Sequence, residues 1–284
     1  MTKNKHMSIK KIGTITLTTS MALAALAGCA TTPSPAPPSA AAAAHWSYSG
    51  DTSPDHWGQL DPAWAACSTG QSQSPINIVT SSAAPGSGSP AELHFTATDY
   101  TIENNGHTIE IVPADASQYI MLDGTKYVFQ QAHFHAPSEH TVDGQSFAME
   151  MHLVSKTDAG AIAVIGLLIT SGSENQTLEE IFANLPASQD STQADDDQGT
   201  PTESAQDYET HTAIDLSTLI PAGSAVFRYD GSLTTPPCSE GVKWSVEETP
   251  IQLSAAQIGA FTAIYNGNAR PVQPLNGRAV SLNS

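Results

Sequence analysis

Positive charge is scarce in this chain. Ten Lys and Arg stand against 28 Asp and Glu in 284 residues, a formal net charge of −18. Four of those cations (Lys3, Lys5, Lys10 and Lys11) precede residue 12. A chain lacking residues 1–28 would therefore keep six cations against 28 carboxylates, a net charge of −22. A surface of that sign repels phosphate backbones and anionic lipid headgroups, which makes nucleic acid and membrane surfaces poor partners. Long apolar runs are missing as well. Residues 12–27 are mostly apolar or small, but Thr14, Thr16, Thr18 and Thr19 interrupt them, which argues against a permanent membrane span. Cysteine is limited to Cys29, Cys67 and Cys238. Helical periodicity is rare, and residues 45–284 contain neither an internal repeat nor a break in composition.

What is present begins with a targeting pattern. Basic residues 1–11, the apolar stretch after them, and Leu26-Ala27-Gly28-Cys29 follow the order of a secretory signal. The tetrapeptide resembles a bacterial lipoprotein signal, in which the Cys is lipidated and becomes the new N-terminus. Ala30 after it resembles the outer-membrane sorting pattern. The alternative is an ordinary cleavage site nearby with Cys29 incidental. Residues 29–44, rich in Pro, Ala and Ser, have nothing to bury and read as an extended tether. Residues 45–284 are long enough for a single domain with one core. Export would leave Cys67 and Cys238 in an oxidising compartment. There they could form a disulfide worth ~2–4 kcal/mol, or remain two separate buried thiols.

Short runs of alternating apolar and polar residues predict strands at 92–95, 108–112, 127–135, 147–155 and 225–229. The continuous apolar run at 161–169 predicts a strand buried on both faces. Asn104-Asn105-Gly106, Asp123-Gly124, Asp143-Gly144, Pro221-Ala222-Gly223 and Asp230-Gly231 supply turns. Helices are expected only at 178–185 and 254–265, the second with Ser254 as N-cap. The fold class is therefore β-dominated α+β with small peripheral helices. The acidic stretch 187–210 reads as a solvated surface loop; a calcium or partner site is the other reading, although no Gly falls at the sixth position of an EF-hand ligand pattern.

The chemistry concentrates in Gln131-Ala132-His133-Phe134-His135 and Glu150-Met151-His152. Residues two apart on a strand share a face, so His133 and His135 point the same way. A turn-rich segment links them to a second strand-like run, whose His152 can supply a third nitrogen from across the hairpin. Three neutral imidazoles with an open fourth position are the ligand set of a catalytic Zn2+ that binds water.

Further segments carry a resemblance. They are His45-Trp46-Ser47-Tyr48, Gln73-Ser74-Pro75-Ile76-Asn77, Asn104-Asn105-Gly106-His107, Ser138-Glu139-His140, Ala163-Val164-Ile165-Gly166, Gly231-Ser232-Leu233-Thr234-Thr235-Pro236-Pro237-Cys238, Val242-Lys243-Trp244 and Arg270-Pro271-Val272-Gln273-Pro274. With the His-x-His hairpin they resemble the α-class carbonic anhydrases, of the exported bacterial kind, through nearly the whole of 45–284. The resemblance implies a central, mostly antiparallel twisted sheet of about ten strands with the metal at the base of a cleft. It implies pairing of Cys67 with Cys238, and, because exported relatives are often dimers, homodimerisation.

It also implies roles. Zinc on His133, His135 and His152 would lower the pKa of its water from ~15.7 to about 7, so that hydroxide attacks CO2 at neutral pH and gives bicarbonate and a proton. Gln131 and Glu150 resemble the residues that hold the ligand imidazoles from behind. An ionised Glu139 can only accept a hydrogen bond, so Thr234 donates to it and must itself accept from the nucleophile. Thr235 matches a residue that touches bicarbonate. Val154, Val164, Leu233, Val242 and Trp244 match the apolar pocket for CO2, with Tyr229 nearby. His107 matches the proton shuttle, with Tyr48 ordering waters. Glu110 departs from many relatives, which have an amide there. Two other readings stand beside this one. A non-catalytic binding module of the same fold typically lacks a ligand histidine, and this chain keeps all three. A zinc esterase would need an acyl pocket that the sequence does not display. Export and the lipid signal together imply a periplasmic protein lipid-anchored to the outer membrane.

Overall fold

The computed structural model describes residues 45–187 and 207–284. The signal, Cys29, the tether and residues 188–206 of the acidic stretch lie outside the described residues.

Alternation builds the sheet. Thr125–His135, Met149–Lys156 and Ile162–Ser171 pair antiparallel in succession, and their apolar residues fall alternately on its two faces. Met149–Lys156 and Ile162–Ser171 are buried along nearly their whole length, as the apolar run at 161–169 predicts. Glu240–Glu247 then joins Ile162–Ser171 in parallel, and Val226–Ser232 adds antiparallel to it. Ten strands form one continuous path in a 13-stranded sheet. Most of its ladders are antiparallel, so the expected topology holds, with parallel joints where Ile162–Ser171 meets Glu240–Glu247 and Ile251–Leu253 and where Ser281–Asn283 meets Ala84–Pro85.

Two Asp-Gly pairs act as tight turns. Asp123 and Gly124 have φ of 51° and 75°, and Asp143 and Gly144 have φ of 48° and 79°. Both central residues are in the left-handed region, which suits the right-handed twist of flanking strands. The helix Ala255–Thr262 starts at a capping box in which Ser254 and Gln257 satisfy each other's backbone N–H. The helix expected at 178–185 is shorter, Glu179–Ala183.

Apolar side chains form two principal clusters, one on each face of the sheet. The larger includes Ile111, Phe134, Met151, Leu167 and Phe261. The smaller, around Val154, Val164, Tyr229, Val242 and Trp244, lies on the other face and floors the cleft described below.

One buried acid conflicts with this packing. Glu247 is 3 % exposed, and its Oε2 has no hydrogen-bond partner. Burial pushes its carboxyl up to about 7, opposed in part by the Ser224 hydroxyl. The folded state therefore holds this proton more tightly than the unfolded chain does. The resulting stabilisation is complete below the ordinary carboxylate value of ~4.5 and is lost as the pH rises through about 7. Glu247→Gln should raise stability at pH 8 by roughly 3 kcal/mol and leave it nearly unchanged at pH 4. Denaturant melts at both pH values test this, and equal differences at the two would contradict it.

Candidate metal centre and cleft

A β-bulge aims the first two histidines. The ladder between Thr125–His135 and Met149–Lys156 shifts register between Phe129 and Gln131, leaving Gln130 as the extra residue. Before the shift, Tyr127 and Phe129 face the large core; after it, Ala132, Phe134 and Ala136 do. Gln131, His133 and His135 consequently turn to the cleft. Strict alternation along 127–135 would instead have put both histidines on the face of Tyr127 and Phe129. The third histidine arrives by register, because His152 lies directly across from His133.

Each imidazole is held from behind by an acceptor. His133 Nδ1 donates to Gln131 Oε1 at 2.8 Å, His135 Nδ1 to the Asn268 carbonyl at 2.7 Å, and His152 Nε2 to Glu150 Oε1 at 2.9 Å. Those partners take the N–H of each neutral ring, so His133 Nε2, His135 Nε2 and His152 Nδ1 are left as lone pairs. These atoms lie within 4.8 Å of one another, His133 Nε2 and His152 Nδ1 only 3.3 Å apart. His135 Nε2 is buried without any partner. Three lone pairs converging in a buried space repel each other unless a cation sits among them, so the donor set fits a tetrahedral metal with one open position. Burial, reinforced by the neighbouring rings, holds His133 well below the usual imidazole range, and burial lowers His135 as well. Burial acts the same way on His152, but Glu150 outweighs it and lifts this ring. A more basic ring is a stronger donor from its other nitrogen.

Glu150 explains why a second cluster of possible ligands, His140, Glu150 and His152, is not a second metal site. Its Oε2 accepts from the backbone N–H of Glu139 and His140, and its Oε1 from His140 Nδ1 and His152 Nε2. His140 Nε2 then accepts from Tyr229 OH at 2.6 Å, and the Tyr229 oxygen accepts from Ser74 Oγ at 2.9 Å. Every proton in this buried chain points toward Glu150. The two histidines hold its carboxyl well below the usual carboxylate range despite the cost of burial. Gly231 makes the packing possible, since a Cβ there would run into Ser74 Oγ.

The other site residues gather around the same point. Glu139 is buried; its Oε1 accepts from Arg270 N–H at 2.8 Å, and its Oε2 has no partner. Thr234 lines a cavity of about 220 Å³ with His133, His152, Val154, Val164, Leu233, Thr235 and Trp244. Val242 and Tyr229 pack behind Trp244. No hydrogen bond joins Thr234 to Glu139 in this structure, so Oε2 is left as an open acceptor. On the opposite side, Tyr48, His107, Glu110 and Gln131 line a cavity of about 110 Å³ with His133, His135 and Thr235. His107 stacks on Trp46 with ring centroids 3.7 Å apart, and its Nε2 donates to the Trp46 carbonyl at 3.0 Å. Burial, together with the charge of Glu139, pushes the Tyr48 phenol well up, so it stays a neutral hydroxyl. Cys67 and Cys238 form a disulfide that fastens the Thr234 loop to the N-terminal segment.

Sequence reasoning gave no role to Asn268, Arg270 or His140. The Asn268 side chain accepts from Ala136 N–H and donates to the carbonyls of His107 and Phe134, joining the His107 loop to the ligand strand. The buried Arg270 guanidinium donates to Gln73 Oε1 and to the carbonyls of Ser74 and Cys67.

Comparison with known proteins agrees with this geometry. Residues 52–284 match the family model described as eukaryotic-type carbonic anhydrase. A carbonic anhydrase of Klebsiella pneumoniae is 42 % identical over 239 residues, covering 84 % of this chain and 90 % of the relative. One from Pectobacterium atrosepticum is 40 % identical, covering 83 % of this chain and 90 % of the relative. The solved α-carbonic anhydrase of Thermovibrio ammonificans, in complex with the inhibitor sulfanilamide, superposes with a TM-score of 0.76 at 38 % identity. It covers 84 % of this chain and 100 % of that one. The chain belongs to the α-carbonic anhydrase family, enzymes that interconvert CO2 and bicarbonate.

Glu150→Gln would set an amide N–H against a cluster of four donors. It should weaken metal affinity ~10–100-fold, the usual loss when a ligand's supporting partner is removed. Titration against a metal buffer measures this, and unchanged affinity would contradict the role given to Glu150.

Proposed function

We propose that the enzyme hydrates CO2 at a single Zn2+ held by His133, His135 and His152. The observation that carries this reading is the convergence of three imidazole lone pairs, each fixed by an acceptor on the far side of its ring. Bound there, zinc would supply the Lewis acidity that brings the ionisation of water from ~15.7 down to about 7.

The chain's own residues do the rest. Glu139 Oε2 is an open acceptor, and in the working site the Thr234 hydroxyl would turn to donate to it, which would leave the threonine oxygen able only to accept. That selects a nucleophile still bearing one proton and turns its lone pair toward the apolar wall. Val154, Val164, Leu233 and Trp244, with Val242 behind, form that wall and hold CO2 without competing hydrogen bonds. Thr235 lines both cavities and contacts bicarbonate as it forms. His107 carries the surplus proton out through waters ordered by Tyr48. Its place in the cavity on the other side of His133 supports this, and turnover requires that it leave its bond to the Trp46 carbonyl. Retention of all three ligand positions together with Thr234 and Glu139 supports turnover over a binding-only role.

The cellular setting belongs to the same proposal. Residues 1–28 are removed as a signal, Cys29 is lipidated, residues 29–44 form the tether, and 45–284 work in the periplasm at the outer membrane. The disulfide supports an oxidising compartment. The net negative charge keeps the domain off anionic lipid apart from its anchor. Homodimerisation follows the exported relatives.

Two variants test the chemistry by stopped-flow CO2 hydration. Thr234→Val should lower kcat/KM by ~10²-fold, typical of losing one preorganised polar contact. His107→Ala should lower kcat in dilute buffer and recover with added imidazole. Wild-type rates in the first, or no rescue in the second, would remove that residue from the mechanism.

A further inference from the structure

The two cavities that meet at His133 and Thr235 carry opposite charges at their outer walls. Glu110 lies directly across the ladder from His133 and lines the cavity that holds His107 and Tyr48. Its Oε2 accepts from Asn105 Nδ2 at 3.2 Å. Lys156 lines the other cavity, beside Ile162, Val164 and Leu233. It lies four residues beyond His152 on the same strand and therefore on the same face, about 13 Å along it.

Lys156 is unusual among the six cations of residues 45–284. Arg228 and Lys243 are ion-paired with Asp123 and Asp230. Arg270 is buried, and Arg278 is spent on carbonyls. Lys126 sits over the Tyr119 ring at 4.2 Å. Among the described residues only Lys156 is both unpaired and in the wall of the cleft. In a domain with so large an excess of acid, its position has an electrostatic consequence.

We infer that the cleft separates its two products by charge: Lys156 draws bicarbonate along the apolar wall, while Glu110 turns anions away from the proton path around His107. The inference rests on the zinc-site reading and extends it to how small monoanions enter and leave. Neither residue touches the reacting atoms; both act through the field at the open position. A unit charge about 10 Å away in a wet cleft changes monoanion affinity about two- to threefold, and reversing it about fivefold.

The test is calorimetric titration of the zinc-loaded enzyme with thiocyanate, with zinc content and melting temperature recorded for every variant. At low ionic strength Lys156→Gln should weaken thiocyanate about two- to threefold and Lys156→Glu about fivefold. Lys156→Arg should restore the wild-type value, and Glu110→Gln should tighten binding about two- to threefold. All these differences should shrink toward one as methanesulfonate salt raises the ionic strength to about 0.5 M. A merely structural role would not follow the charge series or respond to salt. Zinc-loaded, folded variants with equal thiocyanate affinities would overturn the charge inference and leave the zinc site standing. A wild-type protein that takes up no zinc would overturn both.

Discussion

Everything in the cleft depends on three imidazole nitrogens that face one another without protons. That arrangement is costly in a folded chain, because buried lone pairs repel and gain nothing from solvent. Three unrelated acceptors impose it: a side-chain amide at Gln131, a backbone carbonyl at Asn268 and a carboxylate at Glu150. Each fixes one ring's tautomer as well as its direction. Ordinary hydrogen bonds thus orient a donor set that fits a cation.

The supports of these three histidines reach far through the fold. Glu150 is satisfied by two backbone N–H groups and by His140, which leads through Tyr229 to Ser74 and on to the backbone of Ser232. Arg270 joins Glu139 to the segment that carries Cys67, and the disulfide returns from there to the Thr234 loop. Residues separated by most of the chain therefore meet within a few hydrogen bonds of His133, His135 and His152. The sheet provides the floor, but these crosslinks fix the positions of the three histidines, Glu139 and the Thr234 loop relative to one another.

Much of this was legible in the sequence, for identifiable reasons. Period-two spacing placed His133 and His135 together, and Asp-Gly pairs marked the turns at 123–124 and 143–144, whereas Asp230-Gly231, expected as a turn, lies inside the strand Val226–Ser232. Ser254 marked the start of its helix as the N-cap. The strands at Tyr100–Asn104, Tyr119–Leu122 and Glu240–Glu247 gave weaker signals. The second is a short apolar run without alternation, and the third alternates over 242–247 but opens on Glu240-Gly241, which blurs where it starts. The bulge at Gln130 was invisible, because an exposed glutamine in a strand looks like any other polar position. Asn268 was invisible for another reason: it holds His135 through a backbone carbonyl, which every residue has. Glu247 carries no sequence signal for burial, and only its place in the ladder opposite Val226 reveals it. The roles of Glu139, Thr234 and His107 came from resemblance to a family, since local pattern alone assigns no direction to a proton.

The central claim is that the three nitrogens form a preorganised metal site, which makes metal stoichiometry before and after chelation the most direct test. The account predicts one zinc per folded chain and a well-folded apoprotein without hydratase activity, restored by one equivalent of zinc. A purified, folded protein that hydrates CO2 equally well after its metal has been stripped would contradict it.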